Sequence, residues 1–268
     1  MQINRVKEAL RAGKCQFGAG WSQFRSQDVA RILQTAGFDW AFIDAEHGGF
    51  GIETVRDICL AAAQAGITPV VRVADLQYSL MARALDCSSQ GIILPRVESA
   101  DLLKRAVAWT KFPPEGTRGY GLGGPQLGYQ THPFADVIRH MNANTLVVLQ
   151  IETVRAFEVR EELLAVPGID AVLIGPADLS VSLGIPGEFQ HPRMVETIEG
   201  IRDACVRRGV APGIHMRSPA LAKFWVERGM RFVSCGNEVS FLHERASDVA
   251  SQLQNSASLV SPALKNAN

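Results

Sequence analysis

Thr145-Leu146-Val147-Val148-Leu149-Gln150-Ile151-Glu152 and Ala171-Val172-Leu173-Ile174-Gly175-Pro176-Ala177-Asp178 decide how this chain is read. Each begins as an unbroken apolar run rich in β-branched residues and ends abruptly in polar ones. A run that is apolar at every position, not every second one, suits a parallel strand covered on both faces. A carboxylate at the tip of such a run is costly to bury unless something positive meets it. Glu152 and Asp178, delivered by the tips of two buried strands, form a site for a hard divalent cation. Such cations take oxygen ligands, and Mg²⁺ keeps positions open for water or substrate.

Working outward, the same rhythm recurs along the chain. Strands are expected near Phe17–Gly20, Trp40–Asp44, Pro69–Val73, Gly91–Pro95, Thr145–Ile151, Ala171–Gly175, Ala211–His215 and Phe232–Gly236. Segments of helical period lie at 27–36, 52–65, 77–87, 99–109, 153–165, 193–207, 218–228 and 240–254. Several of them stop at glycine, as in Ala36-Gly37, Ala65-Gly66 and Arg208-Gly209. Eight alternations without a break in composition predict one α/β domain over 1–255, a (β/α)₈ TIM barrel, followed by a loosely ordered tail over 256–268. No glycine-rich dinucleotide turn follows the first strand, which disfavours an open doubly wound sheet. The Gly/Pro-rich segment 112–133 interrupts the rhythm.

Composition narrows the function. With 47% apolar residues among 268, the chain can bury a large core. Its 27 basic and 27 acidic residues cancel, and no basic run exceeds Arg207-Arg208, which argues against nucleic acid or an anionic membrane as partner. The five cysteines are odd in number and scattered, as expected of reduced thiols in the cytoplasm. The N-terminal residues have no signal-peptide core, and no stretch is long enough to span a bilayer.

In a parallel barrel the chemistry gathers where the strands end. There the sequence delivers Trp21, then Asp44-Ala45-Glu46-His47, Arg72, Pro95-Arg96, Gln150 with Glu152, and Asp178. The opposite ends, such as Gly66-Ile67-Thr68-Pro69 and Gly168-Ile169-Asp170, read as short turns. A histidine after a strand is commonly a structural group, and His132, His140, His191, His215 and His243 are read that way. His47 differs because Asp44 and Glu46 flank it. Arg72 also has a structural alternative, an ion pair with Asp75 or Asp44. Asp86 lies in a helical segment where capping or solvation would also account for it, and Trp21 would serve a pocket wall or the core.

Six motifs in this order resemble the HpcH/HpaI aldolases, metal-dependent class II pyruvate aldolases with a (β/α)₈ fold. They are Gly37-Phe38-Asp39-Trp40 leading into Ile43-Asp44-Ala45-Glu46-His47, Pro69-Val70-Val71-Arg72-Val73, Gly91-Ile92-Ile93-Leu94-Pro95, Pro113-Pro114-Glu115-Gly116-Thr117-Arg118-Gly119, Gln150-Ile151-Glu152 and Gly175-Pro176-Ala177-Asp178-Leu179. The resemblance runs from about Gly18 to Gly236. It implies reversible cleavage of 4-hydroxy-2-oxo acids to pyruvate and an aldehyde through a metal-stabilised enolate. By the same resemblance Glu152 and Asp178 hold the metal (Mg²⁺, Mn²⁺ or Co²⁺) and Gln150 neighbours it. Arg72 contacts the keto oxygen, His47 is the general acid/base and Asp86 is its paired carboxylate. Gly175, Pro176 and Ala177 meet the substrate carboxylate through the backbone; Trp21 is read as a pocket wall from its place at the end of the first strand.

The chemistry asks for these residue types. Breaking a C–C bond beside a carbonyl leaves an enolate whose charge must be held as it forms. Arginine keeps its charge near neutral pH where a lysine can lose it, and histidine titrates where a proton must move. Oxaloacetate decarboxylation or another enolpyruvate condensation uses the same enolate and is the alternative; a non-catalytic oxo-acid-binding barrel is a third. The chain departs from the family pattern over Tyr120–Tyr129, which reads as a mobile active-site loop and leaves the acceptor open. The resemblance also implies a homo-oligomer, a hexamer ahead of a dimer, with the last helix exchanged between neighbouring barrels. Ser240–Leu253, with Phe241, Val249 and Leu253, supplies the candidate helix.

Overall fold

The structure is a computed structural model that describes residues 1–122 and 124–260, with side chains as far as residue 256. Eight parallel strands pair in sequence order, and the eighth closes against the first. They are β1 (Gln16–Trp21), β2 (Trp40–Asp44), β3 (Thr68–Arg72), β4 (Gly91–Leu94), β5 (Leu146–Ile151), β6 (Ala171–Ile174), β7 (Gly213–Met216) and β8 (Phe232–Asn237). The helices up to the fifth strand are α1 (Arg5–Arg11), α2 (Asp28–Thr35), α3 (Ile52–Ala65), α4 (Tyr78–Asp86), α5 (Ala100–Thr110) and α6 (Phe134–Asn144). After it come α7 (Val154–Glu158), α8 (Arg160–Leu164), α9 (Pro176–Ser182), α10 (Pro192–Arg207), α11 (Pro219–Glu227) and α12 (Glu238–Val260). The barrel expected from the alternation is present. No helix among the described residues is long and apolar enough to cross a membrane.

Strand periodicity divides the core into two layers. Side chains facing outward, such as Ile43, Val71, Leu149 and Ile174, pack under the helices. Those facing inward fill the barrel: Trp40 and Phe42 from β2, Val148 from β5, Leu173 from β6 and Phe232 from β8. Trp40 stacks on Phe232 with ring centroids 3.9 Å apart. A Cβ at position 18 would lie 2.3 Å from the Trp40 ring, so β1 contributes glycine at that level. Val6 and Leu10 of α1 join the inner cluster and close the N-terminal end of the barrel.

Several elements differ from the sequence expectation. The short helices α1, α6 and α9 were not anticipated; α1 carries only Val6 and Leu10 as an apolar signal, and α6 follows the Gly/Pro-rich segment that masks its start. The helix expected over 153–165 is two, α7 and α8, divided at Val159. Strand β7 starts at Gly213 because Ala211 makes only an isolated bridge to Ala171 and Pro212 has no N–H to donate. The described residues of the 120–129 stretch do not border the cavity at the C-terminal end of their own barrel. Leu122 and Leu127 are buried with Phe112 and Val137 on the barrel's flank. The last helix continues past Asn255 to Val260, while residues 261–268 of the expected tail lie outside the described residues.

Candidate active site

Inward parity on adjacent strands brings the charged groups together at the C-terminal end. Asp44 and Arg72 are register partners on β2 and β3. Arg72 Nε donates to Asp44 Oδ1 at 3.0 Å and Nη2 to Oδ2 at 2.7 Å, a two-point clamp that fixes the guanidinium plane. Its Nη1 lies 3.1 Å from Glu46 Oε2, and the guanidinium carbon sits 5.2 Å from the Phe42 ring centroid. Asp75 is not its partner; that carboxylate accepts from Leu76 N and Gln77 Nε2. Asp44 Oδ1 also accepts from the backbone N–H groups of Glu46 and His47, which ties the turn after β2 to the strand tip. Burial would raise the Asp44 carboxyl, but the hydrogen bond and charge of Arg72 with those two N–H groups outweigh it and hold it below its usual range.

Glu152 follows β5 and is only 4% exposed. Its Oε1 accepts from Arg96 N at 2.9 Å and its Oε2 from Gln150 Nε2. Arg96 adopts a positive φ of 53°, an uncommon conformation for a residue with a side chain, and so presents its N–H to the carboxylate. Burial pushes the Glu152 carboxyl up; the Arg96 N–H opposes this, and the charges of Glu46 and Asp178 add to the rise. Gln150 Oε1 is buried with no hydrogen-bond partner. A buried carboxylate crowded by two others beside an orphaned carbonyl oxygen is a set of acceptors short of a cation. No group of three or more His, Cys, Asp or Glu side chains is poised for a metal among the described residues. Glu152, Asp178 and the Gln150 amide oxygen could hold at most a hard ion that keeps water or substrate as its other ligands.

Gly175 has a steric reason to be glycine. A Cβ there would lie 3.0 Å from Glu152 Oε2 and 3.1 Å from Gln150 Nε2. Its N–H donates to Ile151 O across the β5–β6 pair. Pro176 then opens α9, and Asp178, in the first turn, is exposed to the cavity. The first N–H groups of a helix have no partner within it, so those of Ala177 and Asp178 are available.

These groups surround a cavity of about 640 Å³ at the C-terminal end of the barrel, lined by Asp44, His47, Arg72, Gln150 and the 175–178 turn among others. His47 stands exposed at its rim, with Nε2 3.9 Å from Glu46 Oε2. Trp21 borders the cavity from the helix-facing layer, where it is fully buried and donates its indole N–H to Phe24 O at 2.6 Å. It is both wall and core.

Asp86 does not join this group. It ends α4, the helix that returns toward the start of β4, and accepts from Arg118 Nη2 at 2.6 Å. It does not line the cavity, so the His47–Asp86 pair expected from the resemblance is not made within one chain. His215, read as structural, does line it. His215 shares the inward parity of Gly213, and the expected strand Ala211–His215 already ended on it.

A family model described as HpcH/HpaI aldolase/citrate lyase matches residues 19–244. The chain belongs to this family. A 4-hydroxy-2-oxo-heptane-1,7-dioate aldolase of Salmonella dublin is 36% identical over 249 residues, 93% of this chain and 94% of the relative. The crystal structure of an HpcH/HpaI aldolase from Desulfitobacterium hafniense DCB-2 superposes with a TM-score of 0.88 at 31% identity, covering 92% of this chain and 96% of the other. A family member from Burkholderia cenocepacia J2315 superposes with a TM-score of 0.87, also at 31% identity, over 94% of this chain and all of the other. As a member with aldolase relatives at this identity, the protein is a carbon–carbon lyase, which removes the non-catalytic binding barrel from consideration.

Proposed function

We propose that the protein is a divalent-metal-dependent class II aldolase that reversibly cleaves 4-hydroxy-2-oxo acids to pyruvate and an aldehyde. The observation that carries the reading is the clamped Arg72 facing the same cavity as Asp178 and Gln150, with the Gln150 Oε1 left unpartnered beside buried Glu152. Glu152, Asp178 and Gln150 are the residues that would hold Mg²⁺, Mn²⁺ or Co²⁺. When bound, such an ion supplies Lewis-acid pull on the substrate's 2-oxo oxygen.

The chain's own groups account for the rest. Arg72 directs a fixed positive charge at the oxygen on which negative charge develops, and Asp44 and Glu46 hold it in place before substrate arrives. The free N–H groups of Ala177 and Asp178 receive the substrate carboxylate, and Gly175 leaves room beside them. His47, at the rim, takes the proton from the 4-hydroxyl in cleavage and returns it to the aldehyde oxygen in addition. Glu46 is the carboxylate facing its ring within one chain.

The assembly reading is a homo-oligomer, a hexamer ahead of a dimer, with α12 exchanged. What supports it is that residues 242–256 of α12 are exposed throughout, leaving Leu242, Val249 and Leu253 uncovered in a single chain. Light scattering tests this, and a monomeric mass with full activity contradicts it. A reducing cytoplasm fits the five free cysteines.

The test of function is direct. Purified protein with Mg²⁺ or Mn²⁺ is incubated with pyruvate and a panel of aldehydes, and separately with oxaloacetate. The expected result is reversible formation of 4-hydroxy-2-oxo acids. Turnover of oxaloacetate alone would replace the aldolase reading with the decarboxylase one.

A further inference from the structure

The His47 ring makes no hydrogen bond among the described residues; the Glu46 carboxylate lies 3.9 Å from its Nε2. The place of the ring over the cavity is therefore decided by the turn that carries it, and two sides hold that turn. From within the barrel, Asp44 Oδ1 accepts from the N–H groups of Glu46 and His47. From the side of β1, Ser22 O accepts from Gly49 N at 3.2 Å, and Arg25 Nη2 donates to Gly49 O at 3.4 Å. Gly48 fits between the two: a Cβ there would lie 2.1 Å from Asp44 O and 2.8 Å from Ser22 O.

The second hold is only as firm as the loop that makes it. Residues 22–25 follow β1 in an irregular conformation, and Gln23, Phe24 and Arg25 are exposed. Backbone of this kind stays in place through its hydrogen bonds, since it has little burial to fix it. Trp21 donates its indole N–H to Phe24 O. Glu238, the first residue of α12, supplies the larger grip: its Oε1 accepts from Ser22 N at 2.9 Å, Gln23 N at 2.6 Å and Phe24 N at 3.1 Å. Three consecutive N–H groups converging on one carboxylate oxygen are charge-assisted bonds, stronger than neutral ones. Glu238 is buried, and its Oε2 has no hydrogen-bond partner among the described residues, so this loop is what the side chain holds.

We infer that Glu238 is a positioning residue for His47: by fixing the 22–24 loop it seats the turn that carries the general base. The inference rests on the aldolase reading, in which His47 takes the proton from the 4-hydroxyl, and adds to it the residue that keeps the base in reach. Ser22 lines the cavity and Glu238 does not, so Glu238 acts through the loop and not on the substrate. A base must stand within hydrogen-bond distance of the proton it takes, and a misplacement of about 1 Å caused far from the chemistry can cost about 10²-fold. The groups that hold the oxo acid are spared: among the described residues, Arg72, Gln150, Glu152 and Asp178 make no bond to residues 22–25. The grip also ties the seat of the base to the root of α12, the helix whose residues 242–256 are exposed in a single chain.

Paired assays with Mg²⁺ test this: cleavage of a 4-hydroxy-2-oxo acid, which needs the base, and decarboxylation of oxaloacetate, which needs no proton taken from a 4-hydroxyl. The quantity read is the ratio of the two kcat values within one preparation, so a lower folded fraction cancels. Glu238→Ala is expected to lower the cleavage-to-decarboxylation ratio about tenfold. Glu238→Gln keeps an accepting oxygen without the charge and is expected to lower it about threefold, which carries the test if the alanine variant does not fold. In the His47→Ala background neither substitution should move the ratio further, because the base that Glu238 positions is gone. An unchanged ratio in the single variants, or the same loss in the His47→Ala background, overturns the inference and leaves the aldolase reading standing. A wild-type protein that decarboxylates oxaloacetate but cleaves no 4-hydroxy-2-oxo acid removes both.

Discussion

Lys7 and Lys111, at the N-terminal end of the barrel, are 3% and 7% exposed, as buried as Glu152 and Arg72 at the other end with 4% and 8%. The two ends differ in what those charges meet. Lys7 Nζ donates to Thr145 O at 2.7 Å and lies 2.9 Å from Asp170 Oδ2; Lys111 Nζ donates to Asn142 O at 2.6 Å. The helix α1 seals that end over Trp40 and Phe232. At the C-terminal end Gln150 Oε1 has no partner, two further carboxylates crowd Glu152, and an open cavity lies above. Buried charge is common to both ends. The lysines of the N-terminal end each meet carbonyl or carboxylate oxygens, whereas Glu152 is crowded by like charge beside an unpartnered acceptor, and this distinguishes a site from a fastening.

That contrast is sharpened by substitutions at each end. The largest expected effect is at the rim: His47→Ala should lower aldol cleavage by about 10²–10⁴-fold, the scale of general acid–base catalysis. Oxaloacetate decarboxylation, which needs no proton taken from a 4-hydroxyl, should suffer less. Equal losses in the two steady-state assays would mean that His47 acts structurally.

Arg72→Lys should slow both reactions by roughly 10²–10³-fold, the scale seen when one preorganised donor to a developing oxyanion is lost. Lysine keeps the charge but cannot reproduce the two-point clamp on Asp44. Intact decarboxylase activity in this variant would place Arg72 among the structural ion pairs. Gly175→Ala, which presses a methyl group toward Glu152 and Gln150, should cost roughly 10- to 10²-fold in kcat with little loss of thermal stability.

The smallest effect on activity is expected at the closed end. Burial, then the charge of Lys7, pushes Lys111 down to about 7 from its ordinary 10.5. Between those two values the unfolded chain holds the proton and the folded one does not, so stability should rise with pH across that window. Lys111→Met should flatten the rise in urea titrations compared at pH 6.5 and pH 9, with kcat unchanged. A large fall in kcat would break the division between the two ends.

The division also explains what could be read without coordinates. The barrel was legible because every strand is an apolar run between helical periods, and parallel pairing in sequence order leaves few other arrangements. That Arg72, His47 and Asp178 would converge on one cavity was legible because each lies at or just past the C-terminal end of such a run. Asp86 lies away from the cavity of its own barrel, at the end of α4, and there it pairs with Arg118. His215 was missed. It ends the expected strand Ala211–His215, yet it takes the structural reading common to histidines there, and its ring lines the cavity. The 120–129 stretch was read as a loop over the site because glycines hide the two leucines that anchor it to the flank.

The central claim, that the open acceptor set at the C-terminal end holds a catalytic divalent ion, is tested most directly by one titration. Protein stripped with a chelator and verified metal-free is assayed for cleavage of a 4-hydroxy-2-oxo acid while Mn²⁺ is added back. The account predicts no turnover at the start, recovery that saturates with Mn²⁺, and no recovery in Glu152→Ala or Asp178→Ala at the same concentrations. Full turnover in the metal-free wild type would contradict it.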